Sequence, residues 1–177
     1  MPEVISRGVA YEGLRFNVER LKVRSADGQM HAWDVVRHPG AAVILPITDD
    51  GRVVFVRNVR MPLEGTLLEL PAGTLEPPEP AFEAAARELT EETGYTAATV
   101  EPLGRFYTTP GFCSEMVHAF IATGLTAGRQ NLDAGEQIIV EYVAYDDAIA
   151  MCLDGRLRDA KSIAALLIHH ARGAGGS

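Results

Sequence analysis

The sequence is poor in features that mark several classes of protein. Cysteine occurs at only two positions, 113 and 152, too few for the disulfide framework of a small secreted domain. Neither Cys113 nor Cys152 has a Cys or His neighbour at the spacing of a zinc site. This scarcity favours a reducing compartment, and a cytoplasmic location is predicted.

Long apolar runs and basic runs are missing too. No stretch approaches the roughly 20 apolar residues of a membrane-spanning helix, and residues 1–13 lack the pattern of a signal peptide. The formal net charge is -8, with no Lys/Arg-rich segment to offset it, so neither nucleic acid nor membrane is predicted as a partner. A phosphate-bearing substrate would meet the same repulsion. An enzyme for such a substrate needs arginines or metal ions placed locally.

What remains is ordinary for a globular protein. The 177 residues are 47% hydrophobic and 23% charged, which suits one domain with a real core. A hairpin is predicted from residues 14–24 and 30–37, joined at the turn signal of residues 26–28. Further strands are predicted at residues 42–47, 52–57, 66–70, 100–107, 116–123 and 138–145, and helices at residues 80–93, 146–153 and 159–170. Strands joined by turns, with a few helices, predict an α+β sandwich.

Acidic residues concentrate in residues 73–95, GTLEPPEPAFEAAARELTEETGY. On a helix, Glu88, Glu91 and Glu92 would project to one side, where like charges repel unless a cation lies between them. Hard, oxygen-seeking Mg²⁺ or Mn²⁺ suits such a position. The opposite face is predicted to pack on a sheet through Phe82, Ala85, Ala86 and Leu89. Acidic runs on amphipathic helices are usually just solvent-exposed faces. The order of the residues therefore has to distinguish a metal site from such a face.

That order follows G-x5-E-x7-R-E-U-x-E-E-x-G-U, with U a bulky apolar or aromatic residue, and thereby resembles the Nudix box. Every position is filled, by Gly73, Glu79, Arg87, Glu88, Leu89, Glu91, Glu92, Gly94 and Tyr95. The seven fixed residues, at roughly 6% usage each, would match by chance in about one window in 10⁸ to 10⁹. The resemblance implies a Nudix-type α/β/α sandwich with a mixed sheet and an N-terminal antiparallel hairpin region. It also implies a metal-dependent pyrophosphohydrolase.

The resemblance assigns metal-binding roles position by position. Glu88 and Glu92 correspond to the main metal-binding glutamates. Glu91 corresponds to a carboxylate that supports the metals directly or through water, and the carbonyl of Ala72 to a further ligand. Two or more metal ions, Mg²⁺ or in its place Mn²⁺, would neutralise the pyrophosphate oxygens, activate a water and stabilise the leaving phosphate.

The remaining box residues are implied to be structural. Glu79 and Arg87 correspond to an ion pair that ties the loop to the helix, and Gly73 and Gly94 to backbone positions. In residues 133–136 an acidic loop stands where related enzymes carry one that moves over the metals. Glu136 is therefore implied as a further catalytic residue, either ligating metal or positioning the attacking water. Relatives often have an acid where this chain has Ala134, which leaves the general base open.

Other segments resemble the branch of the family that cuts ADP-ribose and nucleotide sugars. Residues 69–73, ELPAG, resemble the entry to the box in that branch, and Pro110, sixteen residues after Gly94, resembles the mark of ADP-ribose pyrophosphatases. A simple turn explains Pro110 equally well. Glu115 corresponds to an acid that contacts the terminal ribose.

Three more residues are candidates for substrate contact. Arg57 and Arg60 leave the strand before the box, and their guanidinium groups suit phosphate oxygens, although a solvated strand end is the alternative. Trp33 stands where relatives often show an arginine before the acid. It could stack on a nucleobase or lie in the core or a dimer interface.

The predicted organisation has three parts. Residues 1–40 form N-terminal strands for dimerisation and base binding, since similar enzymes are homodimers joined there; residues 41–172 form the hydrolase domain, and residues 173–177 a flexible tail. ADP-ribose or a related nucleoside diphosphate sugar is the predicted substrate, with GDP-mannose, other nucleotide sugars and dinucleotides as alternatives. A non-catalytic Nudix ligand sensor is the alternative from another class, but such proteins commonly lose metal glutamates that this chain keeps.

Overall fold

The chain forms two units in a computed structural model that describes residues 1–13, 16–76 and 78–174. The first unit comprises Met1–Gly40 and Tyr107–Met116, and the second comprises Ala41–Phe106 and Val117–Ser177. Among the helices of the described residues, none is both long and apolar enough to cross a membrane.

The first unit is built on an antiparallel sheet of three strands, in the order β1 (Glu3–Glu12), β2 (Asn17–Arg24) and β3 (Met30–Arg37). The predicted hairpin of β2 and β3 is confirmed, and Gly28 takes a φ of 85° in its turn, which suits glycine. Residues 14 and 15 of the predicted strand lie outside the described residues. No strand was predicted at β1. All ten of its residues are exposed, so neither face carries the apolar alternation by which a strand is predicted.

The second unit contains two further sheets. In one, the order is β7 (Ala72–Thr74), β4 (Ala41–Pro46), β9 (Met116–Ala127) and β8 (Tyr95–Tyr107). Strand β4 runs antiparallel to β7 and parallel to β9, so the sheet is mixed, as predicted. The other sheet has β5 (Arg52–Arg60) between β10 (Ile138–Ala144) and β6 (Gly65–Glu69), and both pairings are antiparallel.

Besides a short 3-10 helix at Met61–Leu63, the described part of the second unit contains three α-helices: α1 (Ala81–Thr93), α2 (Tyr145–Asp154) and α3 (Ala160–Ala174). All three were predicted to within a few residues. Helix α1 ends at Gly94, whose φ of 77° is left-handed and whose N–H donates to the carbonyl of Thr90. Helix α3 continues past residue 170 into the predicted tail, of which residues 175–177 lie outside the described residues.

Strand β4 is buried at every residue and feeds two apolar cores. Ala41, Val43 and Leu45 join a core that includes side chains of β5, α2 and α3. Ala42 and Ile44 face the other way and pack with α1. The prediction for the apolar face of α1 is wrong in part, since Phe82 is 54% exposed and the buried apolar side chains of the helix are those of Ala84, Ala85 and Leu89. Small alanines let the helix backbone approach the sheet, which a bulky Phe would hold away.

Candidate active site

The predicted metal site begins where β7 meets α1. Gly73 pairs with Ala42 in the antiparallel ladder of β7 and β4, and the carboxylate of Glu88 lies directly against it. A Cβ added at Gly73 would overlap that carboxylate. The first glycine of the box is therefore needed for close approach of an acidic side chain to the backbone.

Glu92 lies one turn further along α1 and is only 3% exposed. Its Oε2 accepts a hydrogen bond from the Ala72 N–H at 3.0 Å. Burial raises the pKa of Glu92 to about 8, and the charges of Glu88 and Glu136 act in the same direction, whereas the Ala72 N–H and Arg60 lower it. The negative charge of a deeply buried carboxylate is poorly stabilised by a single neutral hydrogen-bond donor, so a nearby cation would stabilise it.

Arg87 connects Glu79, in the loop before α1, to two carboxylates of the helix. Its Nε and Nη2 donate to the two oxygens of Glu79 at 2.9 and 3.1 Å. Its Nη1 donates at 2.8 Å to both Glu88 Oε1 and Glu91 Oε2. These hydrogen bonds, that of Glu79 first, raise the pKa of Arg87 far above its ordinary value. Arg87 thus fixes the loop and offsets part of the acidic charge.

The residues present fit a divalent cation. Among residues 1–13, 16–76 and 78–174, no group of three His, Cys, Asp or Glu side chains is already arranged to hold a metal ion. Arg87 Nη1 is hydrogen-bonded to both Glu88 and Glu91. The charge balance nevertheless favours a cation: burial raises the pKa of Glu88 above its ordinary value, Glu91 and Glu136 act in the same direction, and Arg87 lowers it. Carboxylate and carbonyl oxygens are the ligands that Mg²⁺ and Mn²⁺ prefer.

The C-terminal end of α1 is held by a segment that sequence reasoning missed. Gln130 Nε2 donates to the carbonyl of Glu92 at 2.6 Å, and the Asn131 N–H donates to the carbonyl of Glu91 at 3.0 Å. A Cβ at Gly94 would lie 2.8 Å from the backbone of Arg129. Gly94 therefore serves both the helix cap and this contact, although the sequence signals only the cap.

Comparison with known proteins agrees with this geometry. Residues 36–166 match the NUDIX domain. The chain belongs to the Nudix family. It is 40% identical over 146 residues to the ADP-ribose pyrophosphatase of Bacillus subtilis strain 168, an alignment that covers 81% of this chain and 79% of that protein. It is 36% identical over 145 residues to the GDP-mannose pyrophosphatase of Yersinia enterocolitica, covering 77% and 74%.

The fold agrees as well. The crystal structure of an ADP compounds hydrolase superposes with a TM-score of 0.89 over 98% of this chain and 95% of that one, at 22% identity. The predicted Nudix-type fold and the prediction of a Nudix pyrophosphohydrolase are confirmed. As a Nudix hydrolase, the chain depends on a divalent metal ion.

The acidic loop of this Nudix hydrolase is a tight turn. The Asp133 N–H donates to Glu136 Oε2 at 3.1 Å, the Glu136 N–H donates to the Asp133 carbonyl at 3.0 Å, and Gly135 takes a φ of 93°. Glu136 is exposed, yet its charge is near enough to raise the pKa values of Glu88 and Glu92. The structure thus brings Glu136 toward the box glutamates, while Ala134 is exposed on the same turn.

Both candidate arginines lie on β5 and are paired with glutamates. Arg57 donates through two nitrogens to Glu141 on β10. Arg60 donates through Nε and Nη2 to the oxygens of Glu69 at 2.6 and 2.7 Å, and Glu69 is only 1% exposed. The partnership of Arg60 with the glutamate of the ELPAG segment was not predicted, because spacing within a strand does not reveal which carboxylate a side chain meets.

The candidates for sugar and base contact belong to the first unit. Trp33 lies on β3 opposite Leu21 and is 55% exposed, so it is not part of the core of this chain. Pro110 begins the turn in which the Phe112 N–H donates to the Thr109 carbonyl at 3.2 Å.

Glu115, in the same segment as Pro110, is held by two side chains. Thr108 Oγ1 donates to its Oε2 at 2.6 Å, and His38 Nε2 lies 3.7 Å from its Oε1. The Gly40 N–H donates to His38 Nδ1 at 3.1 Å. Two neighbours therefore orient the predicted sugar contact.

Proposed function

We propose that this Nudix hydrolase cuts the pyrophosphate of ADP-ribose, giving a nucleoside monophosphate and a sugar phosphate, with Mg²⁺ as its ion and Mn²⁺ as a substitute. The observation that carries the metal assignment is Glu92, a carboxylate buried beside Glu88 with one neutral donor, the Ala72 N–H. The likeness to the Bacillus subtilis ADP-ribose pyrophosphatase, together with the ELPAG segment and Pro110, supports the substrate.

The metal would be held by the carbonyl of Ala72 and by Glu88 and Glu92, with Glu91 and Glu136 in support. When bound, the divalent cation supplies the positive charge that offsets the repulsion between the pyrophosphate oxygens and an attacking water. Glu136, exposed on its turn, is the carboxylate we assign to orient that water and accept its proton.

The rest of the substrate is assigned to side chains outside the box. Arg60 is assigned to the phosphates, with its guanidinium group oriented by Glu69. Arg57 is the second candidate for a phosphate contact. Glu115, oriented by Thr108 and His38, accepts a hydrogen bond from a ribose hydroxyl. Trp33, being exposed, is free to stack on the base.

We also propose a cytoplasmic homodimer, in which residues 1–40 serve dimerisation and base binding and residues 41–172 serve hydrolysis. The exposed apolar side chains of the first sheet, among them Val4, Val9 and Tyr11, support pairing with a second copy. Both cysteines are free thiols, which supports the cytoplasm. A monomer in light scattering at micromolar concentration would contradict the dimer.

A substrate panel tests the reaction. Release of phosphate esters is measured with ADP-ribose, GDP-mannose, ADP-glucose, NADH and an oxidised purine nucleoside triphosphate in millimolar Mg²⁺, with EDTA and a Glu92→Gln preparation as blanks. We expect ADP-ribose to give the highest kcat/KM, with both blanks silent. GDP-mannose in the lead would favour the second candidate, which rests on the Yersinia relative. No turnover of any compound would favour a ligand sensor.

A further inference from the structure

A buried polar cluster at the start of α3 has no part in the reaction described above. Asp159 precedes the helix, and its Oδ2 accepts from the N–H of Ser162 at 3.0 Å and from its hydroxyl at 2.6 Å. Lys161 Nζ donates to the other oxygen of Asp159 at 2.8 Å. Asp159 is 7% exposed and Ser162 is fully buried. We name Asp159, Lys161 and Ser162 the α3 anchor.

The α3 anchor reaches the backbone next to the metal site. The Ser162 hydroxyl donates its hydrogen bond to Asp159, so the lone pairs of its Oγ are free to accept another. The Leu70 N–H donates to this oxygen at 2.7 Å. Leu70 lies in the gap between β6 and β7, where strand pairing does not continue. A buried backbone N–H there needs a side-chain acceptor, and Ser162 is that acceptor.

Leu70 is two residues from the backbone that holds Glu92. Pro71 has no N–H, and its carbonyl accepts from Ile44 on β4 at 3.0 Å. The next N–H, that of Ala72, donates to Glu92 Oε2. Residues 70–72 are therefore fixed at three successive points, by Ser162, by β4 and by Glu92. Loss of the hydrogen bond to Ser162 would free Leu70, which is the end of this segment farther along the chain from Ala72.

The α3 anchor also reaches the phosphate-binding candidate. Lys161 Nζ donates to Glu69 Oε2 at 3.1 Å, the oxygen that also accepts from Arg60 Nη2. Two cations thus share one buried carboxylate, and Asp159 balances the second cation. Fully paired buried networks of this kind hold their members in one geometry.

We propose that the α3 anchor is a positioning cluster for the metal site: it fixes residues 69–72, and through them the Ala72 carbonyl, the carboxylate of Glu92 and the fork of Arg60. This rests on the metal assignment of the proposed function. None of the three residues is among the substrate contacts assigned above, so their effect passes through the backbone and through Glu69. Partners that orient metal ligands typically change metal affinity by about 10- to 100-fold when removed.

Binding of Mn²⁺ to the nucleotide-free protein, measured by electron paramagnetic resonance, tests the proposal without catalysis. We expect Ser162→Ala to weaken Mn²⁺ binding about tenfold and to lower kcat more than it changes KM. Leu166→Val is the matched control, since Leu166 is a fully buried residue of the same helix that should lower the melting temperature and leave Mn²⁺ affinity unchanged.

Ser162→Thr separates positioning from stability. It keeps the hydroxyl but adds a methyl group at a fully buried position, so we expect a lower melting temperature with Mn²⁺ affinity close to that of the wild type. Equal Mn²⁺ affinity in Ser162→Ala and wild type overturns the proposal. If Ser162→Ala does not fold, Asp159→Asn takes its place, because it weakens the acceptor of the Ser162 hydroxyl, and unchanged affinity again overturns the proposal.

The two proposals fail in different ways. A silent substrate panel with a tenfold affinity difference between wild type and Ser162→Ala rejects the proposed substrate and supports the α3 anchor. An active panel with equal affinities rejects the α3 anchor alone. Wild-type protein that binds no Mn²⁺ overturns the metal assignment and with it the α3 anchor.

Discussion

Glu69 and Glu92 are both buried carboxylates of the second unit, at 1% and 3% exposure, yet their surroundings differ. Glu69 receives hydrogen bonds from two cations, Arg60 and Lys161. Glu92 receives one hydrogen bond from a neutral backbone N–H, and the negative charges of Glu88 and Glu136 destabilise its ionised form. A buried charge is tolerated when it is paired. The first carboxylate is therefore part of the scaffold, whereas the second has the surroundings expected of the metal ligand proposed above.

The largest effect is expected from Glu92→Gln. The amide keeps the shape of the side chain and can still accept from the Ala72 N–H, but it removes the charge that would hold the metal. We expect kcat to fall by about a thousandfold or more, since losing metal catalysis costs several kcal/mol of barrier. Circular dichroism and melting should show an intact fold. A variant within about tenfold of wild-type kcat would contradict the metal assignment.

Glu69→Gln should show the opposite behaviour, with loss of stability as its first effect. Removing this charge leaves Arg60 and the mostly buried Lys161 without their shared partner. Breaking a buried ion pair from one side costs about 3 kcal/mol of unfolding free energy. Urea titration measures the loss. Glu101→Gln, on an exposed position of β8, is the control and should stay within about 0.5 kcal/mol of wild type. A similarly small loss for Glu69→Gln would mean that the two carboxylates do not differ as described.

Gly73→Ala tests the close approach on the metal side of the comparison. Its Cβ would overlap the Glu88 carboxylate, so we expect that side chain to be displaced and Mg²⁺ affinity to fall about tenfold. Gly104→Ala on β8 is the matched control, since its Cβ would meet only Ile168, at 3.9 Å. Magnesium dependence of the rate measures both. Equal dependence in the two variants would show that Glu88 has room to move.

The smallest expected effect is on the titration of Lys161. Burial opposes its charged form, but Asp159 and Glu69 outweigh burial and hold the pKa of Lys161 above its usual value. Its contribution to stability is therefore complete below the ordinary lysine pKa of about 10.4 and is lost as pH rises through the higher folded value. Lysine occurs only at positions 22 and 161, so NMR of ¹³C-labelled lysine resolves both. A midpoint for Lys161 below the ordinary lysine pKa of about 10.4 would show that burial dominates.

Much of the geometry of the candidate metal site could be predicted from sequence because its residues are close along the chain. The box places Gly73, Glu88 and Glu92 within one loop and one helix, and periodicity alone sets which side the acids share. The same locality explains why the hairpin of β2 and β3 and the cap at Gly94 were predicted.

What was missed depends on contacts between distant segments or on exposed elements. Ser162 and Leu70 are 92 positions apart, and no pattern along the chain pairs a serine with one particular backbone N–H. Strand β1 carries no apolar alternation because none of its residues is buried. Phe82 was assigned to the buried face because its helical spacing places it with Ala85, Ala86 and Leu89, whereas the small side chains of Ala84 and Ala85 are the ones that pack against β4.

Strand β4 has a consequence for how the molecule opens. Its backbone is bonded on one side to β7 and on the other to β9, and both of its faces are apolar cores. Local fluctuations cannot expose it without separating two layers at once, so its amides should exchange with deuterium only in global unfolding. A one-residue insertion in β4 would send Val43 and Leu45 toward α1 and Ile44 away from it. This short strand should therefore be the segment of the chain least tolerant of a change in length.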